Sequence, residues 1–440
     1  MAKLLIIQPT FYQDSAKGIL HKSKGRSLIG LTLPYLAALT PPDWEVHLID
    51  DQLQEIDYDA SVDVVALTTW TINSLRAYAV AKRFRDRGVP VIMGGPHTCF
   101  HAEEAAAHCD AVGIGEGEWI WRPMLEDAAA GRLKPVYRAE EMHPLGGLPK
   151  PRYDLLNLRL HGWFPTHTVQ TSRGCPFKCD FCSERFFVGE RYRQRPVDEV
   201  VEEIRAIGAR RVFFADSMFA GKKARAMALM EALIPLKIRW STLWTTYLCL
   251  DDEYMDLAKR SGLLHVNMGM ESVSPETLGQ MNKRFNKVSQ YTAIAEALRR
   301  RGISYSLNFV FGYDGESSEV YEATLQFLQR YKVPVAYFYI LDPHKGTPLY
   351  ERLKADGRLL NEAEMRRRWG NVCKIKPTSC TPQELEARVM RMYERFYSVP
   401  SMLRRLPLTL SLANMASWTL NLSQRKMTNT EKLVENFDWA

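Results

Sequence analysis

Three cysteines crowd into one short stretch, TSRGCPFKCDFC (Thr171–Cys182). Cys175, Cys179 and Cys182 give the spacing C-x3-C-x2-C directly after an apolar run that reads as a strand. Thiolates are soft ligands suited to iron–sulfur clusters. Three of them on one loop can hold three irons of a [4Fe–4S] cluster and leave the fourth iron open to a small molecule. Zinc is one alternative, but structural zinc takes four ligands, commonly in two pairs. No His or Cys occurs within the ten residues after Cys182 to complete such a set. Three inert buried thiols are the other alternative, and the interleaved Gly174, Pro176 and Lys178 argue against it.

The elements that must position this loop follow from hydrophobic periodicity. Apolar runs at Leu4–Ile7, Val46–Ile49, Val62–Leu67, Val89–Met93 and Ala111–Ile114 alternate with helical patterns such as Leu75–Phe84. That alternation predicts a parallel sheet covered on both faces. Asp50–Ser61 is the weakest of the links. Glycines follow the strands at Gly94-Gly95, Gly113, Gly115 and Gly117. Ligands in open α/β sheets bind at the carboxyl ends of strands, where glycine lets backbone approach closely. Pro144, Pro149, Pro151 and Gly146-Gly147 mark a linker.

A second series runs Thr166–Thr171, Arg211–Ala215, Ile238–Trp244, His265–Met270, Tyr305–Phe311 and Val335–Leu341. The patterns Val197–Ile207, Lys222–Leu233, Asp252–Ser261, Val288–Arg300 and Glu319–Tyr331 separate these strands as helices. Six βα repeats suggest a complete or incomplete barrel. Strand signals stop near Tyr350, and helices such as Pro382–Tyr397 follow. The expected fold is α/β: an N-terminal flavodoxin- or Rossmann-like parallel sheet (1–140), a linker (141–160), a (β/α)6 partial TIM barrel (161–350) and a helical C-terminal region (351–440). The segment Leu403–Met427 reads either as a helix packed on the barrel or as an amphipathic element on a membrane or lipophilic substrate.

With these motifs in view, the chain resembles the radical S-adenosylmethionine superfamily. Phe181 occupies the aromatic position usual before the last cysteine. FFADSMFA (Phe213–Ala220), GMES (Gly269–Ser272), FVFGYDGES (Phe309–Ser317) and HKGTPLY (His344–Tyr350) are similar to later barrel motifs of that family. GGPH (Gly94–His97) and GEGE (Gly115–Glu118) resemble the cobalamin-binding domain of the class that includes hopanoid methylases and the anaerobic magnesium-protoporphyrin ester cyclase. RFYSVPSMLRR (Arg395–Arg405) is like the tail of the hopanoid-methylase branch.

The resemblance implies a [4Fe–4S] cluster on Cys175, Cys179 and Cys182, S-adenosylmethionine chelated to the open iron, and a 5′-deoxyadenosyl radical. It places Phe181 near the adenine, Asp216 and Ser217 at the methionyl amine, Glu271 at the ribose and Asn308 facing the cofactor or the core. Asp216 also reads as a cap for a helix starting near Gly221, and Glu271 as a salt-bridge partner. Arg195 reads as a partner for the methionyl carboxylate or as a surface or helix-entry residue. Tyr337 and Tyr339 share one face and suit either a pocket or core packing. For cobalamin the resemblance singles out Thr68, Thr69, Trp70, Gly94, Gly95, Gly115 and Glu116, and Trp70 also suits a core or interdomain role. The chain lacks the D-x-H-x-x-G pattern that places a histidine below cobalt, so no ligand from that motif is expected there. Cys99, Cys109, Cys249, Cys373 and Cys380 read as structural.

The activity implied is cobalamin-dependent C-methylation of an unactivated carbon in a small, lipophilic molecule. The alternatives are a non-methylating radical reaction (oxidative cyclisation, rearrangement or transfer of another part of S-adenosylmethionine) and a non-catalytic iron–sulfur or cobalamin sensor. The radical chemistry calls for a reducing partner such as flavodoxin or ferredoxin. The 440 residues carry 58 basic and 51 acidic side chains, a net charge of +7. That excess is too small to argue for nucleic acid as a partner. The start, MAKLLIIQPT, falls short of the about 7–15 apolar residues of a signal core. No run reaches the roughly 18 of a membrane span. A cytoplasmic protein with reduced thiols is expected, with peripheral membrane contact through the C-terminal region as a further expectation.

Overall fold

The computed structural model describes residues 1–162, 164–361, 370–409 and 411–435. It comprises two compact units. One holds Met1–Cys175 and Glu184–Phe213, the other Pro176–Ser183 and Phe214–Ala440.

The first unit is built on strands β1 (Ala2–Gln8), β2 (Trp44–Asp50), β3 (Val64–Thr68), β4 (Val91–Gly94), β5 (Ala111–Ile114) and β6 (Val136–Arg138). Their order is β2-β1-β3-β4-β5-β6, parallel throughout. The period-two alternation of β1 divides its apolar run between two cores. Leu4 and Ile6 pack with Trp121 and Leu125 on one face, and Leu5 and Ile7 with Ala81 and Phe84 on the other. Helices Thr32–Leu39 and Gly117–Ala129 supply the first cover, and Ser74–Arg85 the second. The five expected strands are all present. The edge strand β6 was not expected, because only the middle one of its three residues is buried and it leaves no alternating signature. Strand order reverses around β1, and the crevice beyond the strand ends at such a switch point is the usual ligand site. The first unit also contains β7 (Thr166–Val169), parallel to the short segment Leu28–Ile29. Strand β8 (Arg211–Phe214) follows.

The second unit continues the βα series with β9 (Arg239–Trp244), β10 (Leu263–Glu271), β11 (Ser304–Phe311) and β12 (Val335–Ile340), paired in that order and parallel. All six strands of the second series are found, alternating with helices as a half-barrel fold requires. On β10 the alternation separates two chemistries. Val266, Met268 and Met270 are buried in the core. His265, Asn267, Gly269 and Glu271 occupy the opposite face. The expected helix over Val288–Arg300 opens as a 3-10 turn, Val288–Gln290, before the α-helix Tyr291–Arg300.

The C-terminal segment forms two helices, Val399–Arg405 and Leu412–Glu435. The packed reading is the one the structure holds. Ser417 bonds Ser304 at 2.8 Å, and Asn421 Nδ2 donates to the Pro334 carbonyl at 2.8 Å. The apolar residues Leu412, Met415 and Leu422 of the same helix are nonetheless exposed. Among the described residues, no helix is long and apolar enough to cross a membrane.

Arg405 ties this tail together. It is 3% exposed and stacks on Phe396 at 3.5 Å. It donates to the carbonyls of Val333, Pro334 and Phe396 and to Asn421 Oδ1. Burial pulls its pKa down to about 10. Arg405→Ala strands these acceptors and is predicted to cost about 2–4 kcal/mol, read as a lower thermal midpoint by circular dichroism. Leu403→Ser, at an exposed position, is predicted to leave the midpoint unchanged.

Glu316 supplies a pH signature. Its Oε2 accepts from the Gly312 N–H at 2.7 Å, whereas Oε1 is buried without a hydrogen-bond partner. Burial raises its pKa to about 7. The folded state therefore holds a proton that the unfolded chain releases near the ordinary carboxyl value. The contribution is complete below about pH 4.5 and is lost as pH rises through about 7. Glu316→Gln is predicted to match the parent in thermal stability at pH 5 and to exceed it at pH 8, by at most about 3 kcal/mol.

Candidate functional site

The cysteine loop is held separately on each side of Cys175. In the first unit, Ser172–Arg173 pairs antiparallel with Arg193–Gln194. Gly174 has φ +87°, and a Cβ there would lie 2.2 Å from the Arg191 carbonyl oxygen, so the turn admits only glycine. Cys175 N–H then donates to Gly189 O at 3.2 Å. In the second unit, Asp180 is the main clamp. It is 7% exposed, accepts from Tyr313 Oη at 2.7 Å and pairs with Arg352 at 3.1 Å. Its backbone N–H reaches Met281 O, and its carbonyl accepts from Leu349 N–H, both at 3.2 Å. Asn282 Nδ2 donates to Lys178 O at 2.7 Å, and Phe177 stacks on Phe285 at 4.1 Å.

All eight cysteines stand outside disulfides; Cys179 is buried, while Cys175 and Cys182 are partly exposed. Among the described residues, no three His, Cys, Asp or Glu side chains converge on one ion. A cluster asks for something different, one thiolate for each of several irons. Three thiolates on a clamped loop are the donor set that fits it.

Several other residues singled out from sequence lie in the second unit. Asp216 is fully buried just after β8, and Ser217 beside it is partly buried. The next helix, Lys223–Leu233, has Lys222 as its N-cap residue with no side-chain cap bond, so Asp216 does not stand at its N-cap position. Phe181 is partly buried. Glu271 ends β10 at φ +65°, a strained conformation for a non-glycine residue, and is 6% exposed. Its Oε1 pairs with Lys283, whose side chain is 13% exposed. A Cβ on Gly269 would collide with both partners, so glycine makes room for the pair. Burial opposes charge on Lys283, but Glu271 and the Cys179 and Cys182 thiolates outweigh it and shift its pKa upward. Asn308 Nδ2 donates to Asn267 Oδ1 at 2.6 Å, and its own Oδ1 is buried without a partner. Tyr337 pairs in register with Asn308, so it lies on the same face. Tyr339, two residues on, is 41% exposed and outside the core.

The first unit holds a separate cavity of about 290 Å³ at its strand ends. Thr68, Trp70, Gly94, Gly95, Gly115 and Glu116 all line it. Thr69 does not: its hydroxyl donates to Gly94 O at 2.9 Å, locking β3 to β4. Gly95 sits at φ +109°, where a Cβ would be 2.6 Å from Thr69 O. Trp70 is 48% exposed and meets Phe187 edge-on at 6.1 Å, so it is not a core residue. Among the described lining residues there is no histidine. His97 is fully buried and bonded to Tyr78 Oη at 2.6 Å.

One cavity wall is a charge network. Arg173 pairs with Glu118 at 2.6 Å and Glu116 at 3.2 Å, while Arg193 grips both Glu116 oxygens at 2.7 and 2.8 Å. Tyr35 Oη donates to Glu118 at 2.7 Å. Burial would raise the Glu118 pKa, but Arg173 overrides it and holds the carboxylate charged. Arg195 is not a surface residue: it is buried, pairing with Glu203 at 2.7 Å. Of the remaining cysteines, burial pushes Cys109 and Cys249 up to about 12, as suits structural thiols.

Sequence reasoning missed Asp180, Lys283, Arg173 and Glu118. A carboxylate inside the cysteine triplet and an arginine two residues before it were the available signals. Lys283 left none, since its pairing with Glu271 depends on a turn between distant positions.

Comparison with known proteins bears on both units. Residues 169–328 match the Radical SAM superfamily model, and residues 28–120 match the B12 binding domain model. The chain is 29% identical to bacteriochlorophyllide d C-12(1)-methyltransferase of Chlorobaculum tepidum over 80% of this chain and 78% of that protein. It is 27% identical to the C-8(2)-methyltransferase of the same organism over 87% and 88%. In fold it is similar to the radical S-adenosylmethionine methyltransferase TsrM from Kitasatospora setae, with TM-score 0.66, 17% identity and coverage of 99% of this chain and 100% of that one. The cobalamin-dependent S-adenosylmethionine radical enzyme OxsB gives TM-score 0.71 at 14% identity, covering 99% of this chain and 72% of that one. The chain thus carries a radical S-adenosylmethionine domain together with a B12-binding domain.

Proposed function

We propose that this enzyme methylates an unactivated carbon of a small, lipophilic molecule. The observation that carries the proposal is the pairing of a clamped three-thiolate loop with a strand-end cavity lined by the glycines of both GGPH and GEGE. When bound, the cluster supplies the electron that cleaves S-adenosylmethionine, and cobalamin supplies the methyl group. The relatives' substrate, a bacteriochlorophyllide, supports a flat and lipophilic acceptor.

In this reading Cys175, Cys179 and Cys182 hold the cluster. The buried Asp216 carboxylate, with Ser217, receives the methionyl ammonium, because a buried charge is tolerated when it is paired. Lys283 sets a fixed positive charge beside Cys179 and Cys182 and holds Glu271 in its strained position for the ribose hydroxyls. Asn308 offers its unpartnered oxygen to a cofactor donor, and Phe181 covers the adenine. The first-unit cavity is at the small end for a drug-sized ligand. It suits the nucleotide arm of a cobalamin rather than the whole corrin. Thr68 and Trp70 line it at the end of β3, Thr69 fixes that strand's end, and no histidine is among its described lining residues. Tyr337 and Tyr339 form an aromatic wall for the acceptor. A low-potential donor such as flavodoxin or ferredoxin supplies the electron, the protein works in the cytoplasm, and the exposed apolar residues of Leu412–Glu435 support contact with a lipid surface.

The test uses S-adenosylmethionine deuterated in its methyl group, with tetrapyrrole and isoprenoid acceptors under anaerobic reducing conditions. A deuterated methyl in the product together with 5′-deoxyadenosine is expected. 5′-Deoxyadenosine with an acceptor altered in some other way would contradict methylation. Lys283→Met leaves Glu271 buried without its counter-ion, at a cost of about 3–5 kcal/mol. Lower iron content per chain and a lower thermal midpoint are predicted, with Lys283→Arg retaining both.

A further inference from the structure

The segment that braces the cysteine loop in the second unit is also its exposed, basic edge. Cys179 is buried, but Pro176 and Lys178, which lie between the first two cysteines, are exposed. Residues 282–287 lie directly against them, through Asn282 Nδ2 on the Lys178 carbonyl and Phe285 stacked on Phe177. From this bracing segment Arg284 and Lys287 point outward, both exposed. They line an open cleft of about 710 Å³ against helix Pro275–Gln280. Glu276 is the acidic residue in that cleft. Lys283, in the same segment, is turned inward onto Glu271. The exposed charges of this face thus include Lys178, Arg284 and Lys287 against Glu276, and the partly buried Phe177–Phe285 pair joins the loop to the bracing segment.

We propose that this face is where the electron donor docks, and that the donor is a small acidic redox protein of the flavodoxin kind. The inference rests on the cluster being held by Cys175, Cys179 and Cys182. Electron-transfer encounters use small interfaces and lean on charge complementarity for orientation and association rate. Exposed basic residues on the segment that carries a stacked aromatic pair meet both needs, and the loop backbone links Lys178 to Cys179 through one peptide bond. In the step itself the donor's flavin gives up one electron without a proton. The oxidised cluster takes that one electron, and no bond forms or breaks between the proteins.

The experiment compares the cluster-loaded parent with an Arg284→Glu, Lys287→Glu double variant. Calorimetric titration with a bacterial flavodoxin gives Kd at low and high salt. Formation of 5′-deoxyadenosine is followed with flavodoxin, its reductase and NADPH, and separately with dithionite. The double variant is expected to bind flavodoxin at least about tenfold more weakly and to lose the flavodoxin-driven rate in proportion. Its dithionite-driven rate and iron content should match the parent. Salt should weaken the parent's binding and narrow the gap, and Arg284→Lys with Lys287→Arg should behave as the parent. Equal Kd values, or equal loss with dithionite, would overturn the proposal. A parent that responds to dithionite but neither binds nor accepts electrons from flavodoxin would overturn it while leaving the cluster assignment intact. A parent without 5′-deoxyadenosine under either reductant would count against the cluster assignment, and the Kd comparison would still decide the docking face.

Discussion

Three thiolates on one loop serve a common cluster only when the loop cannot relax, and this requirement organises the chain. Its hardest part is met by a single buried carboxylate. Asp180 lies between two of the cysteines and is gripped by Tyr313, Arg352 and two backbone bonds. The partners come from three later stretches: Met281 from the end of the helix after GMES, Tyr313 from FVFGYDGES, and Leu349 and Arg352 from HKGTPLY and the helix it opens. Buried carboxylates are costly unless paired and hydrogen-bonded. The barrel motifs therefore answer to the cysteine loop as much as to any ligand. On the other side of Cys175 the constraint is steric, with Gly174 passing under the Arg191 carbonyl.

The same economy of fixed charge appears around the first-unit cavity. Arg173 holds Glu118 ionised, and Arg173 and Arg193 both pair with Glu116, in a wall of largely buried side chains. GEGE is thus more than a glycine turn. Its glycines let backbone approach a ligand, and its carboxylates anchor the arginines that flank the cysteine loop in sequence. A charged wall prepared before a ligand arrives costs less to organise than one assembled on binding.

Much of this was legible in the chain. Every apolar run with strand character became a strand, because fully buried parallel strands such as Val64–Thr68 leave continuous hydrophobic signals. The cysteine spacing and the glycines after β4 and β5 pointed to the loop and the cavity directly. What escaped notice depends on tertiary placement. Strand β6 is an edge with one buried residue. Thr69 looks like its neighbours Thr68 and Trp70 in sequence, yet its hydroxyl is spent on the sheet. Lys283 meets Glu271 only because a strained residue ends β10 and Gly269 leaves space. Arg195 read as a surface cation because nothing local announces its buried partner Glu203.

The central claim is that one chain holds both a three-thiolate cluster and a corrinoid. The most direct measurement is anaerobic reconstitution with iron, sulfide and hydroxocobalamin, followed by removal of unbound material and determination of iron and corrinoid per chain. The account predicts about four irons and about one corrinoid retained together. It also predicts a bound corrinoid whose absorption and paramagnetic resonance show no histidine nitrogen on cobalt. Retention of iron without corrinoid, or a histidine-ligated cobalt, would contradict it.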